Sequence, residues 1–351
     1  MFETLPNNES EFYQLLLAQA ITALKMNTFL DNFDEERFNF DGVDRSKIFD
    51  VNERVFYFDW FYRAHAELFK AYSLFSDERS KNLFLHLVLY RMAGHHSVRI
   101  PVDFDERGEE FKHYLQTERG SESKLATSGM FGKLRHFDFE FQNNRYVIDC
   151  LGLKYYLFRK QYFYDRGIAA VKPEKGDAVV DGGACLGDSA LVFSNAVGPK
   201  GKVYAFDPVF EHLEILRYNQ NQFPHKNVSI MPFGLSDRDV VCAPIKVNQY
   251  SPGFNSAGQE VPLRSIDSLV SSGEITRVDF LKLDVEGFEM NVLTGAMKSI
   301  ARFKPKLAIS LYHKPNDLFE IPSFIGRNFP FYGLRLDHYT IHGEETVLYC
   351  A

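Results

Sequence analysis

Five acidic residues stand where an apolar run gives way to glycine or to the start of a helix: Asp181, Asp188, Asp207, Asp284 and Glu286. The first belongs to Asp-Ala-Val-Val-Asp-Gly-Gly-Ala-Cys-Leu-Gly-Asp-Ser, residues 177–189, which reads as a buried strand, an acidic turn and a helix start. Gly182, Gly183 and Gly187, with the small Ala184, give that turn backbone freedom and let a ligand approach closely, and Asp188 and Ser189 open the helix. Such a turn suits an adenosine-containing cofactor, and the acid selects among them. Asp181 would repel a pyrophosphate and attract a cation, which fits the amino group of S-adenosylmethionine. Asp207 closes the next strand, twenty residues after Gly187, at the interval where a doubly wound fold places a carboxylate for two ribose hydroxyls. Pro208 then suits a first helical turn. Ser236 and Asp237, in Gly-Leu-Ser-Asp at the third strand's end, are expected beside the adenine. Asp284, Glu286 and His313 fall at the carboxyl ends of the fourth and fifth strands, where open sheets of this kind place ligands. His313 is the preferred proton acceptor, because an unperturbed imidazole titrates at about 6.5. Lys282 shares a strand face with Asp284 and is positioned to hold its charge or to contact the acceptor.

These residues need a sheet to carry them. Strands are predicted at 178–181, 203–207, 228–233, 278–284 and 307–312, with helices at 188–197, up to Gln222, and up to Arg302. Two closing strands, 331–337 and 345–349, form an antiparallel pair of the kind that separates a methyltransferase-like sheet from an all-parallel dehydrogenase sheet. The fold class is therefore α/β, a Rossmann-like doubly wound, mostly parallel sheet with an antiparallel last strand, preceded by a smaller, mainly helical N-terminal domain. Asn8 and Glu11 have capping-box spacing ahead of a helical repeat over 9–26. Apolar runs predict further helices over 57–75 and 76–93, and residues 27–55 read as loop with short helices. His95 and His96 are adjacent and cannot readily share one ion, so they are read as structural. Phe137, Phe139 and Phe141, a turn at Asn143–Asn144, then Tyr146 and Ile148 predict a hairpin. The aromatic stretch 153–166 is read as core in preference to a cover over the site. Tyr250, Pro252, Gly253 and Asn255 mark a flap or hairpin insertion between 240 and 263.

The polar connection at 103–130 places the domain boundary: 1–130 as a helical region, and 131–351 as the cofactor-binding domain. A formal charge of −7 over 351 residues, with no clustered basic stripe, argues against a nucleic-acid partner. No apolar stretch is long enough to span a bilayer. Four scattered cysteines suggest neither a zinc site nor a disulfide framework, and a cytoplasmic location is expected.

Four stretches together resemble the FkbM family of S-adenosylmethionine-dependent methyltransferases: Val-Val-Asp-Gly-Gly-Ala-Cys-Leu-Gly-Asp from 179, Ala-Phe-Asp-Pro from 205, Phe-Leu-Lys-Leu-Asp-Val-Glu-Gly-Phe-Glu from 280, and Ser-Leu-Tyr-His-Lys-Pro-Asn-Asp-Leu from 310. The third is the most specific. The resemblance covers about 135–351, is weaker over 55–105, and has two departures. Asp207 stands for the family's usual Glu, shortening the reach to the ribose by one methylene, and Cys185 stands where Asn is common, harmless if the loop binds through backbone N–H groups. The resemblance implies S-adenosylmethionine as cofactor, S-adenosylhomocysteine as product, and O-methylation of a hydroxyl on a sugar, a glycan or a related natural product. Asp284, Glu286 and His313 collecting a divalent cation is an alternative that is not favoured. Glu286 also has a simpler reading, as a first-turn acid stabilising the following helix, and His313 as a structural hydrogen-bonding group. Residues 1–130 are expected to pack on the catalytic domain, cover the acceptor or form a homodimer. The competing functions are a nicotinamide-dependent oxidoreductase and a non-catalytic cofactor-binding subunit of a glycan-synthesis complex.

Overall fold

The computed structural model describes residues 2, 4–26, 51–95, 97–102, 120–125, 133–166, 169–245 and 259–351. The insertion residues Tyr250, Pro252, Gly253 and Asn255, His96 and most of the 103–130 connection lie outside them. In chain order the helices are α1 (Glu9–Met26), α2 (Val51–Leu74) and α3 (Glu78–Ala93). Strands β1 (Ser121–Glu122), β2 (Arg135–Phe141), β3 (Asn144–Cys150), β4 (Tyr164–Arg166), β5 (Ala169–Val171) and β6 (Ala178–Gly182) follow. Next come α4 (Asp188–Val197), β7 (Lys202–Phe206), α5 (Phe210–Gln222), β8 (Val228–Met231), β9 (Gly234–Leu235), β10 (Val240–Ile245), β11 (Gln259–Arg264), α6 (Ile266–Ser271) and β12 (Phe280–Leu283). The chain ends with α7 (Glu289–Thr294), α8 (Met297–Phe303), β13 (Lys306–Ser310), α9 (Asp317–Asn328), β14 (Leu334–His338) and β15 (Thr346–Cys350).

The main sheet has seven strands in the order β14-β15-β13-β12-β6-β7-β8. β13, β12, β6, β7 and β8 run parallel to one another, and β14 is antiparallel to β15, as the sequence predicts. β6 and β12 are buried along their whole length, so two-sided packing explains their apolar runs. Asp181 and Lys282 are the exceptions, and the register makes them direct neighbours across the two strands. A β10–β11 hairpin stands where the insertion was expected.

The chain divides into two compact units, residues 1–104 with 310–350, and residues 105–309 with Ala351. In the first, α1 opens with the expected capping box: Glu11 N–H donates to Asn8 Oδ1 at 2.9 Å, and Asn7 N–H donates to the Glu11 carboxylate at 2.9 Å. Phe12, Leu16 and Ala20 form its buried stripe. α2 begins before the predicted residue 57 because Arg54 faces inward, donating through Nη1 to Arg91 O at 2.7 Å while its stem packs as apolar surface. Asp77 caps α3, accepting from Ser80 N–H at 2.8 Å. Gly326 lets α9 pack tightly on α2, since a Cβ there would meet Leu74 Cδ1 at 2.9 Å.

In the second unit the β2–β3 hairpin has Phe137 opposite Ile148 and Phe139 opposite Tyr146. Its turn is Gln142–Asn143, both with positive φ, one residue earlier than predicted, because Phe141 pairs with Asn144. The predicted helix up to Arg302 is two, α7 and α8, interrupted at Gly295, where a Cβ would meet Ser236 O at 2.1 Å. The stretch 153–166 opens with a π-turn, Lys154–Phe158, and buries Tyr162 completely.

Candidate active site

The site in the second unit is built around the β6–α4 turn, and that turn is held from four sides. Gly183 has φ +82 and a Cβ there would lie 1.9 Å from Asp284 O, so only glycine fits. Beneath it, Lys282 Nζ donates to Gly183 O at 2.7 Å and Gly182 O at 3.1 Å, and pairs with Asp181 Oδ1 at 3.1 Å. Asn219 Nδ2 on α5 donates to Leu186 O at 2.8 Å and to Asp149 O on the hairpin at 2.9 Å. The turn's own N–H groups close inward: Gly183 and Ala184 donate to Phe206 O, Gly187 to Ala184 O, and Cys185 to Asp207 Oδ2 at 3.0 Å. Those donors are engaged within the protein.

What the turn gathers is carboxylate. Asp181 is fully buried, with Oδ2 accepting from Ser189 Oγ at 2.8 Å and Oδ1 facing Lys282. Asp188, at the start of α4, is pushed up to about 6 by burial, with the charge of Asp181 adding to it and the Ser189 N–H and Lys282 opposing. Asp207 accepts from Val209 N–H at 2.9 Å through Oδ1 and carries the His212 imidazole at 3.0 Å. Burial alone would lower His212, but Cys185 and Asp207 beside it outweigh burial and push it up to about 11. Sequence reading missed His212, although its position one helical turn into α5 places it above the strand-end acid. Pro208 lies ahead of α5 instead of inside its first turn, because the Asp207–Val209 side-chain bond closes a turn before the helix begins.

Lys282 is 1% exposed. Burial works against its charge, yet the carboxylates of Asp181 and Asp284 leave its pKa above the ordinary lysine value. Its ammonium has Asp181 and two carbonyls as partners, so contact with an acceptor gives way to a supporting role under the glycine turn. Asp284 accepts from Tyr162 Oη at 2.8 Å, and the Tyr162 ring lies 5.3 Å from Lys282 Nζ. Tyr162 is held at φ +70, a left-handed backbone that costs an aromatic residue energy and persists only where the surroundings impose it. It is the second residue that sequence reading missed as part of the site, having placed it in the core. Glu286 is exposed with φ +52, and the acid that closes this turn is the buried Glu289, whose Oε1 accepts from Val285 N–H at 2.8 Å. Ser236 donates through its hydroxyl to Asp237 at 3.0 Å and through its N–H to Arg264 O. His313 belongs to the first unit, half-buried, with its ring 4.2 Å from that of Tyr312.

The family model for the methyltransferase FkbM domain matches residues 181–331, from the buried acid of the glycine turn past α9. That stretch is similar to the FkbM methyltransferase domain. Among curated relatives, the chain is 29% identical over 131 residues to the hexuronic acid methyltransferase AglP of Haloferax volcanii, an alignment covering 36% of this chain and 53% of that protein. Among solved structures, the methyltransferase FkbM from Methylobacillus flagellatus KT superposes with a TM-score of 0.54 at 18% identity, over 83% of this chain and 60% of that one. The chain thus spans a little over half the length of these two relatives, and at 18% identity the superposition speaks for the fold. No described helix is long and apolar enough to cross a membrane.

Proposed function

We propose that this protein is a methyltransferase that takes its methyl group from S-adenosylmethionine and transfers it to a hydroxyl of a sugar or glycan. The observation that carries the cofactor assignment is the chemistry of the glycine turn. The N–H groups of Gly183, Ala184, Cys185 and Gly187 face into the protein, while Asp181, Asp188 and Asp207 gather around it. A dinucleotide pyrophosphate needs the opposite arrangement, donors outward and no anion beneath. A ligand bearing an ammonium and a sulfonium suits it, and Asp188, whose ionisation burial disfavours, gains a counter-charge when such a cation binds. The same chemistry argues against the nicotinamide alternative.

The bound cofactor supplies an electrophilic methyl whose transfer breaks its bond to sulfur, the electron pair remaining on sulfur. Asp207, fixed by Val209 N–H and His212, accepts the ribose hydroxyls. Asp181 and Asp188 supply the negative field for the ammonium group, and Ser236 and Asp237 border the adenine. Positioning of the acceptor oxygen and removal of its proton complete the reaction. His313 takes that proton. The carbohydrate acceptor is supported by the name of the Haloferax relative.

Isothermal titration of the protein with S-adenosylmethionine and S-adenosylhomocysteine tests the cofactor reading, with micromolar-range binding expected and loss of affinity in Asp207→Ala. A folded protein that binds neither, or that binds a nicotinamide dinucleotide instead, refutes it. Incubation with uronic acid-containing glycans and cofactor should add one methyl mass, and His313→Gln should abolish that product while leaving cofactor affinity unchanged.

A further inference from the structure

The two ends of the chain meet inside the first unit, at the loop that carries His313. That loop, residues 311–317, runs from the end of β13 to the start of α9. Leu311 N–H donates to Thr346 O at 2.9 Å, and at the far end Lys314 N–H donates to the Asp317 carboxylate at 2.9 Å. Between these points the loop is held by the N-terminal helices. Arg91, near the end of α3, donates through Nη1 to Pro315 O at 2.7 Å and through Nη2 to Leu311 O at 3.3 Å. Trp60 on α2 donates through Nε1 to Asn316 Oδ1 at 3.0 Å, and the Arg91 guanidinium lies 5.7 Å from the Trp60 ring. Arg91 is itself fixed by α2, because Arg54 donates to its carbonyl. Both side chains are buried, at 9% and 8% exposure.

A planar guanidinium bridging two carbonyls on one loop is a specific device. Pro315 lacks an N–H, which limits how the loop can stabilise itself, and the Arg91 fork satisfies carbonyls at both of its ends. We propose that Arg91 and Trp60 are positioning residues for His313, through which α2 and α3 fix the loop that carries it. The proposal rests on the reading of His313 as proton acceptor, but the holding of the loop is measurable without it.

Hydrogen exchange followed by mass spectrometry on the full chain tests it. Arg91→Met should accelerate exchange over 311–317 by about tenfold or more, the factor expected when one charge-assisted anchor is lost, and leave 178–189 within about twofold of wild type. Arg91→Lys, which can reach one carbonyl, should recover part of that protection. Trp60→Phe keeps an aromatic ring at the position and removes the indole N–H with the pyrrole half of the bicycle, so it provides the answer if Arg91→Met fails to fold, and exchange over 311–317 should again rise. Trp60 is the chain's single tryptophan, so acrylamide quenching of its fluorescence should increase in Arg91→Met. The His313 ring signal in NMR, assigned by its disappearance in His313→Gln, should shift or broaden in Arg91→Met and return toward wild type in Arg91→Lys. Folded Arg91→Met and Trp60→Phe variants with unchanged exchange over 311–317, or an unmoved His313 signal, overturn the proposal. Variants that show these changes in a protein whose wild type binds no S-adenosylmethionine would refute the functional reading alone.

Discussion

Replacing Lys282 by Met removes the cation beneath the glycine turn while nearly keeping its volume. The ammonium lies 3.1 Å from Asp181 Oδ1, and the side chains are 2% and 0% exposed. The variant therefore leaves a carboxylate in the centre of a parallel sheet with Ser189 as its remaining hydrogen-bond partner. Breaking one side of a buried pair costs about 3–5 kcal/mol. The carbonyls of Gly182 and Gly183 lose a donor as well, but each keeps a route to relaxation, so the carboxylate dominates. By the usual scaling this corresponds to a fall in melting temperature of roughly 6–20 °C. The double variant Asp181→Asn/Lys282→Met removes both charges and should return to within about 1–2 kcal/mol of wild type. The pH dependence adds a signed check. A lysine whose pKa is raised in the folded state contributes stability that is complete below its unfolded pKa of about 10.4 and fades as pH rises through the higher folded value. The difference between wild type and Lys282→Met should accordingly hold steady from pH 7 to about 10 and narrow above that. Urea denaturation measures all three proteins. A single variant within about 1 kcal/mol of wild type, or a double variant as unstable as the single one, refutes the reasoning.

Tyr162→Phe removes the hydroxyl that donates to Asp284 and should cost about 1.5–3 kcal/mol in chemical denaturation, the range for a bond to a charged group. An unchanged midpoint would mean that Asp284 finds another donor. Asp188→Asn tests the acid that burial pushes up to about 6: a raised carboxyl pKa lowers stability as pH climbs from about 4 to 6. The ligand-free Asn variant should thus be more stable than wild type at pH 7, equal to it near pH 3, and weaker for S-adenosylmethionine by titration calorimetry. Asp77→Ala removes the cap of α3 and should lower stability by about 1 kcal/mol without altering cofactor affinity.

Local signals explain what the sequence made legible. α4 spans Asp188–Val197 as predicted because Gly187 and Gly198, both with positive φ, bracket a continuous apolar run. The capping box of α1 and the pairing of the β2–β3 hairpin rest on residues within a few positions of one another. The misses come from longer range or from competing local bonds. Pro208 was read as helical, and the Asp207–Val209 bond outcompetes the helix there. The division at Gly295 follows from the approach of Ser236, some sixty residues away in sequence. Tyr162 reaches Asp284 over 122 positions and Arg91 reaches Pro315 over 224, distances at which neither periodicity nor spacing carries information. His212 was recoverable, since a histidine one helical turn beyond a strand-end acid can fold back onto it.

The first unit also has a timetable. Its helices pair with a strand made much later: Ser76 N–H donates to Leu334 O, Leu336 N–H to Ser80 Oγ, and Arg79 bonds Asp337, partners separated by as many as 258 positions. On a ribosome adding about 5–20 residues per second, α3 leaves the exit tunnel roughly 13–50 s before β14 exists to receive it. Through that interval Leu83, Phe84, Leu87 and Val88, all buried in the finished protein, have no β14 to meet. Until then this face of α3 has the earlier segment alone to pack on, with the Phe84 ring against Tyr72 and Phe75. A chain truncated ahead of β14 would leave α3 without that partner.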